Sequence, residues 1–396
     1  MIPNKVCLVP FVSIATHPAG YISRCMMSSL PMGSMSDYDV WNNSKFQALR
    51  QNMVSGQWDL PGCNTCHERE QKNLVSQRIN WKTNERWWNG DIWDNKDFTK
   101  SITGNKIYHL YLNTNNLCNF KCRMCNSMYS NSWINDDQLL ADAGFERNIQ
   151  AEYSKNTNNL TEFINKNIDQ LAELRMITVT GGEPFINDDL LNALDLLDLT
   201  NVHLSITTNG SLLTEQHLER LRTAKKVNIN ISIDGTGRLF EYMRSGDQCS
   251  WEKINQVIAM IKSYQKEHDN FVFSPNASFQ IYNMLNVEEF YDWAESIINR
   301  PHEWIEFRLL THPECLGVDV APDYLKVKSL KQIVHVESKY KGNEYFLNNM
   351  RRMLINENPN QKKHWQDFQK FTETLDKKRN QSLKEVAPRI YEQFTI

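Results

Sequence analysis

Nothing in this 396-residue chain approaches the roughly 20 consecutive apolar residues that a membrane span requires. The apolar stretch Val6–Ala15 is broken by Pro10 and lacks a basic leader, so no secretory signal is expected. An excess of one charge is also missing. The 44 Lys and Arg against 47 Asp and Glu give a net charge of −3, which makes no electrostatic case for a nucleic-acid or membrane surface. There is no internal repeat and no regular disulfide ladder. The nine cysteines are an odd number and fall in short pairs and a triplet, a pattern of metal ligation more than of oxidation. These absences point to a cytoplasmic protein. Hydrophobic residues at 40% and charged residues at 23% are ordinary for a soluble chain, and the length suggests roughly two or three domains.

Three segments are expected. Residues 1–97 hold short strands, turns and Cys7, Cys25, Cys63 and Cys66, and a polar stretch, Asn89–Asn105, leads out of them. In residues 98–312 strand and helix patterns alternate, which argues for a parallel α/β sheet. Over Tyr153–Leu174 the residues Leu160, Phe163, Ile164, Ile168, Leu171 and Leu174 fall on one helical stripe. Residues 313–396 read as a helical extension, with Pro388 breaking the last stretch. Its basic runs, Lys362-Lys363 and Lys377-Lys378-Arg379, read as a solvated helix face.

The middle strands alternate in an unusual way. Leu110 and Leu112 alternate with His109, Tyr111 and Asn113, and Ile177 and Val179 with Thr178 and Thr180. Val202, Leu204 and Ile206 alternate with His203, Ser205 and Thr207, and Ile229, Ile231 and Ile233 with Asn228, Asn230 and Ser232. The pattern recurs at Phe279 and Ile281 against Ser278 and Gln280, and at Ile305, Phe307 and Leu309 against Glu306 and Arg308. Parallel strands covered by helices on both faces read as continuous apolar runs. Here one face is polar, and strand parity gathers those groups on one side. The expected architecture is a partial (β/α)6 TIM-like barrel with helices outside and a polar lumen, a small N-terminal Cys-rich module and a helical C-terminal extension. A half-exposed antiparallel sheet is the competing arrangement.

Just past the first of these strands, Cys118, Cys122 and Cys125 are spaced C-x3-C-x2-C. Three such thiolates can hold three irons of a [4Fe–4S] cubane and leave the fourth iron open to another ligand. Thr178-Val-Thr-Gly-Gly-Glu-Pro184 follows the second strand, Thr207-Thr-Asn-Gly210 the third and Ser232-Ile-Asp-Gly235 the fourth. Glycines there admit close approach of a ligand to the backbone, and Glu183 can accept from an ammonium group. Each motif alone is a common turn. All lie at the carboxyl ends of strands, where parallel α/β barrels carry their chemistry.

In this order the motifs resemble the core of radical S-adenosylmethionine (radical SAM) enzymes over roughly Lys106–Leu310. The resemblance implies a [4Fe–4S] cluster on Cys118, Cys122 and Cys125, its open iron chelated by S-adenosylmethionine. It implies that Gly181, Gly182 and Glu183 hold the methionine amino group. Thr208, Asn209, Ser232 and Asp234 would line the rest of the cofactor site, with Ser232 and Asp234 near the ribose or carboxylate, and Arg244 would clamp the carboxylate. The residue before the third cysteine, usually aromatic in the family, is Met124 here. The chemistry implied is reductive cleavage to a 5′-deoxyadenosyl radical that abstracts a substrate hydrogen, fed by an electron donor such as flavodoxin or ferredoxin.

Cys7, Cys25, Cys63 and Cys66 are similar to the cysteines of SPASM/twitch modules, which bind an auxiliary [4Fe–4S] cluster. The module usually follows the barrel and here precedes it. A four-thiolate zinc site is chemically open on the same residues. Cys249 and Cys315 are expected as buried fillers, though Cys315 could face the chamber. His109 and His203 would point into the lumen, as structural or catalytic groups, and Glu306 and Arg308 would bind substrate or pair with one another. The analogy with SPASM/twitch maturases implies a peptide or protein side chain as substrate. A polar small molecule and a non-catalytic metal-binding scaffold are the alternatives.

Overall fold

Strands and helices alternate in the computed structural model, which describes residues 7–395 apart from 29, 58–59, 72–74, 84–101, 104–105, 150–159, 299–304 and 342–343. The boundary expected at 97/98, much of the polar stretch before it, and the helix start at Tyr153 lie outside the described residues. Two compact units are interleaved in sequence: Met1–Asn115, Tyr153–Ile206 and Thr223–Val227 in the first, and Asn116–Glu152, Thr207–Arg222 and Asn228–Ile396 in the second.

In the first unit, β1 (Ser13–Thr16), β2 (Tyr21–Ser23) and β3 (Pro31–Ser34) form an antiparallel meander. β1 also pairs in parallel with β4 (His109–Asn113), in the register Ser13 to His109. β4 pairs in parallel with β5 (Met176–Thr180), and β5 with β6 (His203–Thr208). The apolar sides Ile14, Leu110, Leu112, Ile177, Val179, Leu204 and Ile206 are buried. On the other side polar groups pair laterally: His109 with Ser13 and Thr178, and Thr180 with the Tyr111 hydroxyl.

Helix α1 (Ser44–Val54) is capped by the Asn43 side chain, which accepts from Phe46 N. Its Arg50 is fully buried and donates to the carbonyls of Pro10, Trp41 and Ile102. The expected stripe on Leu160–Leu174 holds except at Ile168, which is 41% exposed. Helix α2 (Leu160–Lys166) stops at Asn167, whose Nδ2 donates back to Phe163 O, so the next turn restarts out of phase.

The second unit contains most of β7 (Lys226–Ser232), with β8 (Phe271–Phe279) and β9 (Glu306–Leu309) parallel to each other. β8 ends two residues earlier than the alternation suggested. The Asn283 side chain accepts from Gln280 N and donates to Ser278 O, which turns Gln280 and Ile281 out of the strand. The polar face is again internal: Asn228 donates to Asn230 and Ser274 to Asn228, all buried. Within the first unit the order of strands is β3-β2-β1-β4-β5-β6.

Beyond β9 the chain is helical, with α3 (Asp323–Lys339), α4 (Glu344–Ile355) and α5 (Gln361–Arg379) the longest helices. The α/β class, the β/α succession of a partial TIM-like barrel and the helical C-terminal region are thus those expected. Among the described residues no helix is long and apolar enough to cross a membrane.

Candidate metal centres and cofactor site

The cysteine triplet lies in the second unit, on a loop whose backbone is zipped to residues 243–247. Lys121 N donates to Ser245 O and Arg123 N to Met243 O, each at 2.8 Å, and Asp247 N to Asn119 O at 2.9 Å. This approach requires glycine at 246. Gly246 has φ +123°, and a Cβ there would come 2.5 Å from Asn119 O and 2.6 Å from Phe120 Cα.

Side chains then take up the carbonyls of the loop one after another. Ser132 donates to Cys118 O at 2.6 Å, Ser130 to Phe120 O at 2.8 Å and Arg379 to Lys121 O at 2.8 Å. Trp133 Nε1 donates to Cys122 O at 2.9 Å and Arg147 to Cys125 O at 3.3 Å. These bonds fix the backbone that carries the three thiols.

Four guanidiniums stand around this loop, each paired with a carboxylate: Arg123 with Asp376, Arg147 with Asp137, Arg379 with Asp136, and Arg244 with Asp234. Arg123 is fully buried, lies 3.7 Å from the Tyr242 ring centroid and donates to Tyr242 O. Arg379 was expected on a solvated face. Its side chain is instead only 7% exposed and pairs with Asp136, in the last turn of α5 before Asn380 ends the helix in the left-handed region. Lys362, Lys363, Lys377 and Lys378 are exposed, as expected.

Asn209 Nδ2 donates to Asn119 Oδ1 at 2.9 Å and lies 4.0 Å from Cys118 Sγ. Thr208 Oγ1 accepts from Gly210 N at the end of β6, and Ser232 closes β7. Asp234 is buried and accepts from Ser278 N at 2.7 Å. Its Oδ2 is 2.7 Å from Arg244 Nε, and Arg244 Nη1 is 3.6 Å from Cys122 Sγ. Arg244, expected as a carboxylate clamp, is thus paired with Asp234 and lies close to Cys122 Sγ.

Burial pushes the Cys122 thiol above its ordinary range, and the Arg244 charge opposes that rise. Burial and the neighbouring Cys122 and Cys118 push Cys125 up as well. In the metal-free chain these are thiols, and a metal centre binding there would displace their protons.

The glycine motif lies in the first unit. Gly181 has φ +126°, and a Cβ there would come 2.7 Å from Thr114 Oγ1 and 2.8 Å from Thr114 N. Gly182 N donates to Asn115 O at 2.7 Å. Glu183 is buried and its Oε1 accepts from Phe185 N. Beside Gly181, the buried Asn113 Oδ1 has no hydrogen-bond partner among the described residues. A buried carboxylate and an unpartnered amide oxygen at a glycine turn suit a cationic donor such as an ammonium group.

Also in the first unit, Cys7, Cys25 and Cys66 line one cavity with Met26, Trp81, His109 and Tyr111. Cys63 lies in electrostatic range of Cys7 and Cys25, with Arg24 Nη1 3.7 Å from its Sγ. Burial holds the Cys25 thiol up at about 12 and raises Cys7 and Cys66 too. Among the described residues no three His, Cys, Asp or Glu side chains are placed to share a single metal ion.

The remaining candidates resolve simply. His109 accepts or donates at both nitrogens, to Ser13 at 2.7 Å and Thr178 at 2.9 Å, and burial lowers it to about 3. It is a neutral, hydrogen-bonded histidine. Burial also lowers half-buried His203. Arg308 pairs with Glu306 at 2.8 Å. Cys315 is buried, as a filler would be. Cys249 is only partly buried and lies in electrostatic range of Cys122 and Arg244, so it borders the triplet.

The profile of the radical SAM superfamily matches residues 112–294. The chain carries a radical SAM domain. Within it lie the cysteine triplet, the glycine motif and Arg244. A GTP 3',8-cyclase from Aliarcobacter butzleri (strain RM4018) is 29% identical over 133 residues, 33% of this chain and 36% of that protein. The radical SAM cyclopropyl synthase TigE from Paramaledivibacter caminithermalis is 26% identical over 210 residues, 49% of this chain and 40% of that protein. A "Probable GTP 3',8-cyclase" from Sulfurisphaera tokodaii is 25% identical over 266 residues, 62% of this chain and 72% of that protein. The chain therefore spans two fifths or less of the length of the first two relatives.

Proposed function

We propose that this chain is a radical SAM enzyme that abstracts a hydrogen atom from a peptide or protein side chain. The observation that carries the enzyme reading is the cysteine loop. Within the matched radical SAM domain, its three thiols stand at C-x3-C-x2-C spacing while its carbonyls accept from Ser130, Ser132, Trp133, Arg147 and Arg379. Bound there with S-adenosylmethionine, a [4Fe–4S] cluster supplies the reductive cleavage that releases a 5′-deoxyadenosyl radical.

The protein's own part is to bind and orient. Glu183 and Asn113 Oδ1 would accept from the methionine ammonium, and Gly181 and Gly182 would admit it to the backbone. Thr208, Asn209 and Ser232 border the nucleoside. Asp234 and Arg244 pair with each other beside Cys122. The electron comes from a one-electron donor of the flavodoxin or ferredoxin class.

The substrate class rests on the N-terminal cysteines. Cys7, Cys25 and Cys66 share one cavity, which supports an auxiliary SPASM/twitch-like cluster completed by Cys63, and with it maturase-type chemistry. A polar small molecule is the second reading, favoured by the GTP 3',8-cyclases among the relatives.

Anaerobic reconstitution followed by a 5′-deoxyadenosine assay tests the enzyme. Product from the wild type and none from Cys122→Ala supports it. Intact clusters with a strong reductant and no product would sink it. About eight irons per chain indicates two clusters, and about four with bound zinc indicates one cluster beside a zinc site.

A further inference from the structure

Cys118 and Cys122 receive donors of different kinds. Cys118 Sγ lies 3.4 Å from Phe120 N and 4.0 Å from Asn209 Nδ2, both neutral groups. Cys122 Sγ lies 3.6 Å from Nη1 of Arg244, a guanidinium. The Arg244 side chain is 12% exposed, and the Asp234 carboxylate 2.7 Å from its Nε is 0% exposed. Asp234 is itself fixed by Ser278 N at 2.7 Å. The chain Ser278–Asp234–Arg244–Cys122 runs within the second unit, and each link holds the next in place.

We infer that Arg244 sets the reduction potential of the metal centre through the Cys122 sulfur, with Asp234 as its counterweight. The inference rests on the reading that Cys118, Cys122 and Cys125 hold a [4Fe–4S] cluster. One-electron reduction adds one negative charge to the cluster and its thiolates. A cationic N–H at a thiolate favours the more negative state, and hydrogen bonds to cluster sulfurs are among the determinants of potential. Burial strengthens the effect because little water screens it. The Asp234 carboxylate orients the guanidinium and cancels part of its field, so the two residues act with opposite sign. Arg244 is a positioning and tuning residue here.

The test is an EPR-monitored potentiometric titration of the reconstituted full chain, with dithionite as electron donor and no S-adenosylmethionine. It is read on the signal component that Cys122→Ala removes. In Arg244→Gln the ratio of reduced to oxidised cluster at a fixed potential should fall about tenfold, a midpoint about 59 mV more negative for a one-electron couple. Asp234→Asn should move the midpoint the other way. Arg244→Lys, which keeps the charge, should lie between Arg244→Gln and the wild type.

An unmoved midpoint in Arg244→Gln overturns the inference, and more directly so if affinity for S-adenosylmethionine collapses in calorimetry. Shifts of one sign in both Arg244→Gln and Asp234→Asn also overturn it, since a merely structural role would act that way. If Arg244→Gln does not take up iron, Asp234→Asn decides alone: a more positive midpoint supports the inference and an unchanged one overturns it. Failure of the underlying cluster reading looks different. The wild type then gives no reduced-cluster signal that Cys122→Ala abolishes.

Discussion

The indole Nε1–H of Trp133 donates to the carbonyl of Cys122 at 2.9 Å. Arg379 and Arg147 both lie near the indole, their guanidinium carbons 5.0 Å and 5.4 Å from its ring. The middle cysteine of the triplet is thereby held twice, at its carbonyl by Trp133 and at its sulfur by Arg244.

Trp133→Phe keeps most of the ring and loses the donor. A neutral hydrogen bond of this kind contributes about 1 kcal/mol, and that loss should appear in urea denaturation. Iron release to a chelator should quicken as well. Unchanged chelation kinetics would detach Trp133 from the metal centre.

Gly246→Ala should be severe. The residue would have to hold a positive φ, at about 1–3 kcal/mol, and its methyl would run into the backbone of Asn119 and Phe120. We expect a lower Tm together with poor iron uptake. A normal iron content at a normal Tm would show that the zipper to residues 243–247 is dispensable.

Asp376→Asn strips the counter-charge from Arg123, whose side chain is 0% exposed. Breaking a buried pair from one side costs about 3–5 kcal/mol, so this single change in α5 should rank among the most destabilising in the chain. The Tyr242 hydroxyl, which donates to the same carboxylate at 2.9 Å, is weakened with it. Calorimetry on the full chain measures the loss.

His109 predicts a pH dependence. Burial lowers it from 6.5 to about 3, so between those values the unfolded chain binds the proton and the folded chain does not. Stability from this group is therefore complete above about pH 6.5 and is lost as the pH falls toward 3, by at most about 1.4 kcal/mol per pH unit. His203, also lowered by burial, adds in the same direction. His109→Gln should flatten the slope, so wild type and variant converge as urea midpoints are measured from pH 7 down to pH 5.

Cys249→Ala should leave the iron content intact, although Cys249 borders Cys122 and Arg244. Three thiolates suffice for the cluster proposed, and an iron count after reconstitution decides the point. Loss of iron on a par with Cys122→Ala would make Cys249 a fourth ligand.

Strands β4 to β7 and β9 were legible because their apolar and polar residues alternate, and the cysteine loop because its ligands are close in sequence; of β8 only the last two residues, Ser278 and Phe279, showed that pattern. What joins distant segments was not. The parallel pairing of Ser13 with His109 links residues 96 apart, and nothing local to either announces it. Lys377, Lys378 and Arg379 look alike as a basic run. Only the fold pairs Arg379 with Asp136 while the lysines stay exposed. Trp133 was one tryptophan among eleven, and read as packing until its indole N–H was seen against Cys122. Gly246 could have been noticed from its place in Arg-Ser-Gly, but a glycine after a helix is ordinarily a cap. Its tight approach to the loop follows from the fold alone.

Arg123 and Asp376 stand 253 positions apart in the sequence. At ribosomal speeds of roughly 5–20 residues per second, the brace on the cysteine loop is made roughly 13–50 s after the cysteines themselves. Iron offered to the three thiols during that interval meets a loop without its α5 partners. The cysteine loop therefore gains its Arg123–Asp376 and Asp136–Arg379 pairs only in the last part of synthesis.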